Sequence, residues 1–185
     1  MNQLNEFMKL LTGEFDNTEQ FSRLKKEGVS DFPFAEHVNT ACNDKIRGLP
    51  ADFAGVFMIE ESYYTLKDTK RASSHLFLFT EEPEGIRLTS YEIPEVYDKN
   101  NFTYAAFSGA DYTALKPSAK FTPALYIKNP SGVWEGGSVS MFTPILKFTL
   151  YERFSEKELE VSESMEVNGR KAFGYDVPIL YKRKA

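Results

Sequence analysis

Glu60 and Glu61 stand side by side in the stretch GVFMIEESYYTL, with Tyr63 and Tyr64 close behind them. Adjacent residues of a strand project to opposite faces, so the two carboxylates cannot form one general acid/base pair, and only one can point inward. An inward Glu among Phe and Tyr is costly unless partnered. It therefore meets a polar ligand group or an arginine, or it lies at a wet barrel mouth. Tyr63 and Tyr64 each offer a flat apolar ring with a hydroxyl tip, suited to a planar ligand or to core packing. On a regular pleat Glu60 shares a face with Tyr64. A bulge between Glu61 and Tyr63 would instead turn Glu60 and Tyr63 inward together. His37 brings either a group that titrates near neutral pH or a hydrogen-bonded structural imidazole. Arg71, with Lys70 in DTKRASS, reads as a loop cation able to pair with ligand carboxylates at a barrel mouth, or as a solvated loop residue.

Other chemistries find no support. The chain has no GxxxxGKS/T loop, no GxGxxG and no GxSxG elbow. His37 and His75 are its 2 histidines and lack metalloprotease spacing, so no metal site is expected. The 1 cysteine, Cys42, excludes an intramolecular disulfide and reads as a small half-buried residue, because no base is placed to activate it. No catalytic residue can be assigned from these patterns.

The elements that must position these groups are mostly strands. At 185 residues the chain is expected to be a single domain, 1–185, with 42% hydrophobic and 15% aromatic residues. Aromatics favour strands and line ligand cavities. A net charge of −5 argues against nucleic acid or an anionic membrane as partner. No apolar run approaches the roughly 18 residues of a membrane span. The N-terminus lacks a basic n-region and an apolar h-region, so the chain is expected to be cytoplasmic.

Leu4, Phe7, Met8 and Leu11 form a helical stripe that Asn2 can cap and Gly13 can end, predicting a short helix over 3–12. Residues 14–48 leave helix and strand open. From about residue 50 the period changes to two. HLFLF and IRLTSYEI flank the turn sequence TEEPEG, FTYAAF reads as a further short strand, and NPSG joins KFTPALYIK to VWEGGSVSMF. The glycines of WEGGS suggest a bulge or bend covered by Trp134, and NGRK suits a type I′ hairpin. About eight or nine strands at this spacing predict a mainly β chain, an antiparallel lipocalin- or calycin-like barrel braced by the helix. Closure removes the open edges of such a series.

The order of GEFDNTEQ, FAEHV and VFMIEESYY resembles the T-type phycobilin lyases, the CpcT/CpeT family. Gly13, Phe15, Asn17 and Gln20 match its G-x-F-x-N-x-x-Q signature, His37 its following histidine, and Glu60 and Tyr63 its Glu and Tyr, with Glu61 in place of a glutamine. FSGA and VWEGG are similar to its later glycine-bearing strands. The family's later cysteines and its Arg-rich Pro-Tyr-Arg segment have no counterpart. The resemblance implies a lipocalin-like barrel, in a family often dimeric, that holds a bilin (linear tetrapyrrole) and delivers it to a cysteine of a phycobiliprotein subunit. Glu60, Tyr63, Tyr64, His37 and Arg71 are the candidate ligand contacts.

Two functions stay open at this level. One is a chromophore lyase. The other is a non-enzymatic lipocalin-like carrier of a small hydrophobic ligand, with no cofactor required.

Overall fold

The computed structural model describes residues 2–184. Helix α1 (Gln3–Leu11) starts where the Asn2 side chain accepts from the Asn5 N–H. It ends at Thr12, whose N–H and hydroxyl both donate to the Met8 carbonyl. Its stripe of Leu4, Phe7, Met8 and Leu11 is buried, as the spacing requires. Strand β1 (Gly13–Asp16), helix α2 (Thr18–Lys26) and strand β2 (Phe34–Ala41) follow. Next come β3 (Ile46–Arg47), β4 (Val56–Leu66), β5 (Thr69–Glu82), β6 (Gly85–Tyr91), β7 (Ala110–Asp111) and β8 (Ala124–Lys128). The chain closes with β9 (Trp134–Thr143), β10 (Leu146–Phe154), β11 (Leu159–Val167), β12 (Arg170–Gly174) and β13 (Ile179–Arg183).

Ten strands form a closed antiparallel barrel in the order β10-β9-β8-β6-β5-β4-β2-β1-β13-β11, and β10 pairs with β11 to shut it. This is the lipocalin-like architecture expected. It starts earlier than residue 50, however, because β1 and β2 complete the wall between β4 and β13. Four residues with one buried apolar side chain, Phe15, make β1 too short for a periodic signal. β12 extends the outer half of β11, and β3 pairs in parallel with β7 outside the barrel.

α1 plugs one end of the barrel. The Phe7 ring meets Phe79, Tyr126, Trp134 and Phe154 at centroid distances of 5.3, 5.3, 5.1 and 4.9 Å. Arg183 fastens the helix from outside by donating to the carbonyls of Leu10 at 2.7 Å and Thr12 at 2.6 Å, a cation on the negative end of the helix.

A second apolar cluster lies outside the wall. Phe57, Ile59, Leu76 and Leu78 on β4 and β5 are covered by Phe102 and Phe107. The FTYAAF segment is thus a chain of turns and not the short strand expected, because its two Phe side chains anchor a covering loop. Asn17 and Gln20 bond backbone, as a structural role demands. Asn17 holds Pro33 O at 3.0 Å and Ala35 N at 2.8 Å, and Gln20 holds Pro178 O and Leu180 N.

Two turns differ in an instructive way. Asn168-Gly169 has both φ angles positive, 51° and 74°, the hairpin form its sequence favours. Lys67-Asp68 adopts the same form at 48° and 65°, without a glycine, so DTKRASS is hairpin turn and strand rather than loop. In WEGGS the register stays unbroken and no bulge forms. The glycines instead allow close strand approach: a Cβ on Gly137 would lie 2.1 Å from Leu150 O. Trp134 packs inside the barrel, beneath Phe7.

Candidate functional site

The pairing of β4 with β2 and β5 runs without a shift from Ala41↔Met58 to Phe34↔Thr65 and from Val56↔Phe79 to Leu66↔Thr69. With no bulge, the pleat decides the faces. Met58, Glu60, Ser62 and Tyr64 turn inward, and Phe57, Ile59, Glu61 and Tyr63 turn outward. Tyr63 is therefore not a cavity residue, contrary to expectation. Its hydroxyl donates to Glu61 Oε2 at 2.6 Å, and Glu61 Oε1 accepts from the Tyr104 N–H at 2.9 Å. The pair pins the covering segment to the outside of the wall. Arg71 stands in a strand and not in the loop expected. It lies in β5 opposite Tyr64 and is exposed at the rim, beyond the buried part of the interior.

His37 on β2 does face inward and is 2% exposed. Its Nε2 lies 3.2 Å from Ser62 Oγ, and Ser62 Oγ donates to Glu60 Oε1 at 3.2 Å. With the serine proton on Glu60, the serine oxygen accepts from Nε2–H and Nδ1 is the acceptor of the neutral imidazole. Nδ1 has no hydrogen-bond partner and lies 3.9 Å from Glu60 Oε2.

Five strands add groups to this layer. His75 on β5 pairs with Glu60 in the register. Glu152 on β10 accepts a hydrogen bond from the Tyr126 hydroxyl of β8. Glu163 on β11 lines the same space, and the Tyr181 ring of β13 lies 4.4 Å from His37. Burial sets the electrostatics. It lowers the His37 imidazole to about 3 and that of His75 to about 4, so both are neutral. It raises Glu60 well above the usual carboxylate range, Glu152 to about 6 and Glu163 to about 7, where nearby Glu152 adds to the effect. Burial also raises the phenols of Tyr64, Tyr126 and Tyr181. Among the described residues no lysine or arginine pairs with any of the three carboxyls. None of these groups is arranged to hold a metal.

Sequence reasoning singled out Glu60, Tyr64 and His37 but not His75, Glu152 or Glu163. A common signal marks all three. Each is a polar residue in the apolar register of an alternating strand: His75 before Phe77 and Phe79, Glu152 between Leu150 and Phe154, Glu163 after Leu159 and Val161.

The space they enclose is small. A cavity of about 30 Å³ is bordered by His37, Glu60, His75, Glu152, Glu163 and apolar rings, enough for about two water molecules. A second, of about 20 Å³, lies beside Tyr64 and Glu163 under Phe173 and Tyr175. Opposite α1 the interior is capped by Phe121, Phe142 and Phe148, with centroids 5.1 to 5.7 Å apart. Cys42 is fully buried on the outer side, and burial pushes its thiol up to about 12, which removes it as a nucleophile.

Compared with protein-family models, with curated proteins and with solved structures, the chain matches none at a significant level.

Proposed function

We propose that this protein is a binding protein of the lipocalin-like kind, a carrier that takes a small ligand into the barrel between α1 and the Phe121 cap. One observation carries the reading: carboxyls with no cationic partner, Glu60 at their centre, and the unpartnered His37 Nδ1 are enclosed by an otherwise apolar wall. A filled structural barrel has no need of such a layer, since burying polar groups without partners costs about 1–3 kcal/mol each. The ligand supplies hydrogen-bond donors to Glu60 and His37 and apolar surface to Tyr64 and the phenylalanines.

A linear tetrapyrrole, implied by the resemblance to the phycobilin lyases, has donors of this kind in its pyrrole N–H groups. Arg71, exposed at the rim, offers a guanidinium for its propionates. A bilin far exceeds 30 Å³, so its entry requires displacement of the aromatic cap. Delivery to a cysteine of a phycobiliprotein subunit, and a homodimer, are further steps that only the resemblance suggests.

The test is a titration of wild type and Glu60→Gln with a bilin and with a panel of neutral hydrophobic probes, read by absorbance and fluorescence. Binding by wild type, weakened roughly tenfold or more in Glu60→Gln, supports the reading, since each 1.4 kcal/mol is tenfold. No binding of any probe rejects it. Probe binding with no bilin binding rejects the tetrapyrrole and keeps the carrier.

A further inference from the structure

The inward polar layer has an imbalance of charge type. At its centre stand three carboxyls, those of Glu60, Glu152 and Glu163, and the unpartnered Nδ1 of His37, with the unpartnered Tyr181 hydroxyl beside them. The second imidazole, His75, stacks on Phe77 at 5.4 Å. The phenols of Tyr64, Tyr126 and Tyr181 complete the titratable set facing inward, and Tyr126 already spends its proton on Glu152. No ammonium or guanidinium group of the described chain reaches the three carboxyls, and Arg71 stays at the exposed rim. The apolar part of the lining includes the rings of Phe77, Phe121 and Phe148, and aromatic faces attract cations.

We propose that this interior binds a small organic cation carrying N–H groups, of the primary-ammonium class, held by Glu60, Glu152, Glu163 and His37 Nδ1. The inference rests on the reading of the barrel as a ligand-binding protein and adds the ligand's charge and size. An ammonium group supplies three donors, matching convergent acceptors that the chain leaves open. His37 Nδ1 is the independent mark of the site. It is buried, has no partner, and stands 3.9 Å from Glu60 Oε2, across the cavity edge. A cavity of about 30 Å³ accommodates a cation of the size of methylammonium.

Binding is coupled to proton release. In the empty barrel burial favours the neutral carboxyls, whereas a bound cation favours their ionised form. Glu152 titrates at about 6 and Glu163 at about 7. Cation affinity therefore rises from pH 5 to pH 8, as Glu152 and Glu163 ionise. It falls by about tenfold per pH unit for each proton the cation must displace.

The experiment is calorimetric titration of the intact chain with methylammonium chloride at pH 8 and pH 5. Sodium chloride and tetramethylammonium chloride, which lack N–H donors, serve as controls. A further titration at pH 7, run in buffers of different ionisation enthalpy, counts the protons released. Methylammonium-specific binding, with protons released and affinity lost by tenfold or more at pH 5, supports the proposal. So does a further tenfold loss in Glu152→Gln or Glu163→Gln. Equal responses to all three salts, or binding indifferent to pH, overturn it. Wild type that takes up a neutral hydrophobic probe but not methylammonium overturns the cation and leaves the binding-protein reading standing. Wild type that binds neither overturns both.

Discussion

His37 Nδ1 and Glu60 Oε2 face each other at 3.9 Å inside the barrel, too far for a hydrogen bond, while Ser62 joins the far side of the same two residues. The pair is thus oriented but not closed. Its open side gives onto the cavity that Glu152 and Glu163 share.

The plug helix is expected to carry much of the stability at its end of the barrel. Phe7 is fully buried among four aromatic rings. Phe7→Ala should cost about 3–5 kcal/mol, the range for a buried Phe truncated in a tight core. Chemical denaturation measures it, and an unchanged midpoint would mean that α1 does not hold the barrel shut.

Asn17 ties the connection between β1 and β2 through Pro33 O and Ala35 N and is fully buried. Asn17→Ala leaves both groups without a partner and should cost about 2–4 kcal/mol. The Ala35 amide, slow to exchange in wild type, becomes fast in the variant. Exchange that is rapid in wild type across residues 13–21 would contradict the structural role.

Glu152 makes stability fall as the pH rises. Its carboxyl titrates at about 6 against an ordinary 4.5, chiefly because it is buried. Between those values the folded chain holds a proton that the unfolded chain has lost, so each step upward in pH favours unfolding. Glu152→Gln keeps an acceptor for Tyr126 and removes this loss, worth about 2 kcal/mol between pH 4.5 and pH 7. Urea unfolding at pH 4.5 and pH 8 checks it; parallel pH profiles for the two proteins would be incompatible with a buried proton on Glu152.

The histidines act in the opposite sense. His37 titrates at about 3 in the folded chain against an ordinary 6.5, because burial disfavours its charge. The unfolded chain takes up that proton first, so stability is lost as the pH falls from 6.5 toward 3. His37→Gln should make the decline between pH 6 and pH 4 shallower by about 1.4 kcal/mol per pH unit. An unaltered slope would show that the imidazole is accessible to protons in the native state.

The sequence by itself determined the architecture and much of its punctuation. Period two from Val56 onward, the Asn168-Gly169 turn and the stripe Leu4, Phe7, Met8 and Leu11 each report a local physical preference, and each is found as read. It also marked Glu60 as an anomaly, because a polar residue in an apolar register stands out without any fold. Only tertiary structure decided which way the layer faces and what it contains. The inward turn of Glu60 and the outward turn of Tyr63 follow from an unbroken register between three strands. No single stretch encodes that pairing. Glu152 and Glu163 meet Glu60 because barrel closure brings β10 and β11 opposite β4, residues about ninety or more positions apart in the chain. The covering segment around Phe102 and Phe107 escaped a local reading for the same reason: its aromatics answer to Phe57 and Ile59 on the outer wall and not to their own neighbours. Charge and cavity are properties of that convergence, since a carboxyl is ordinary in a strand and becomes reluctant to ionise only once the wall closes around it.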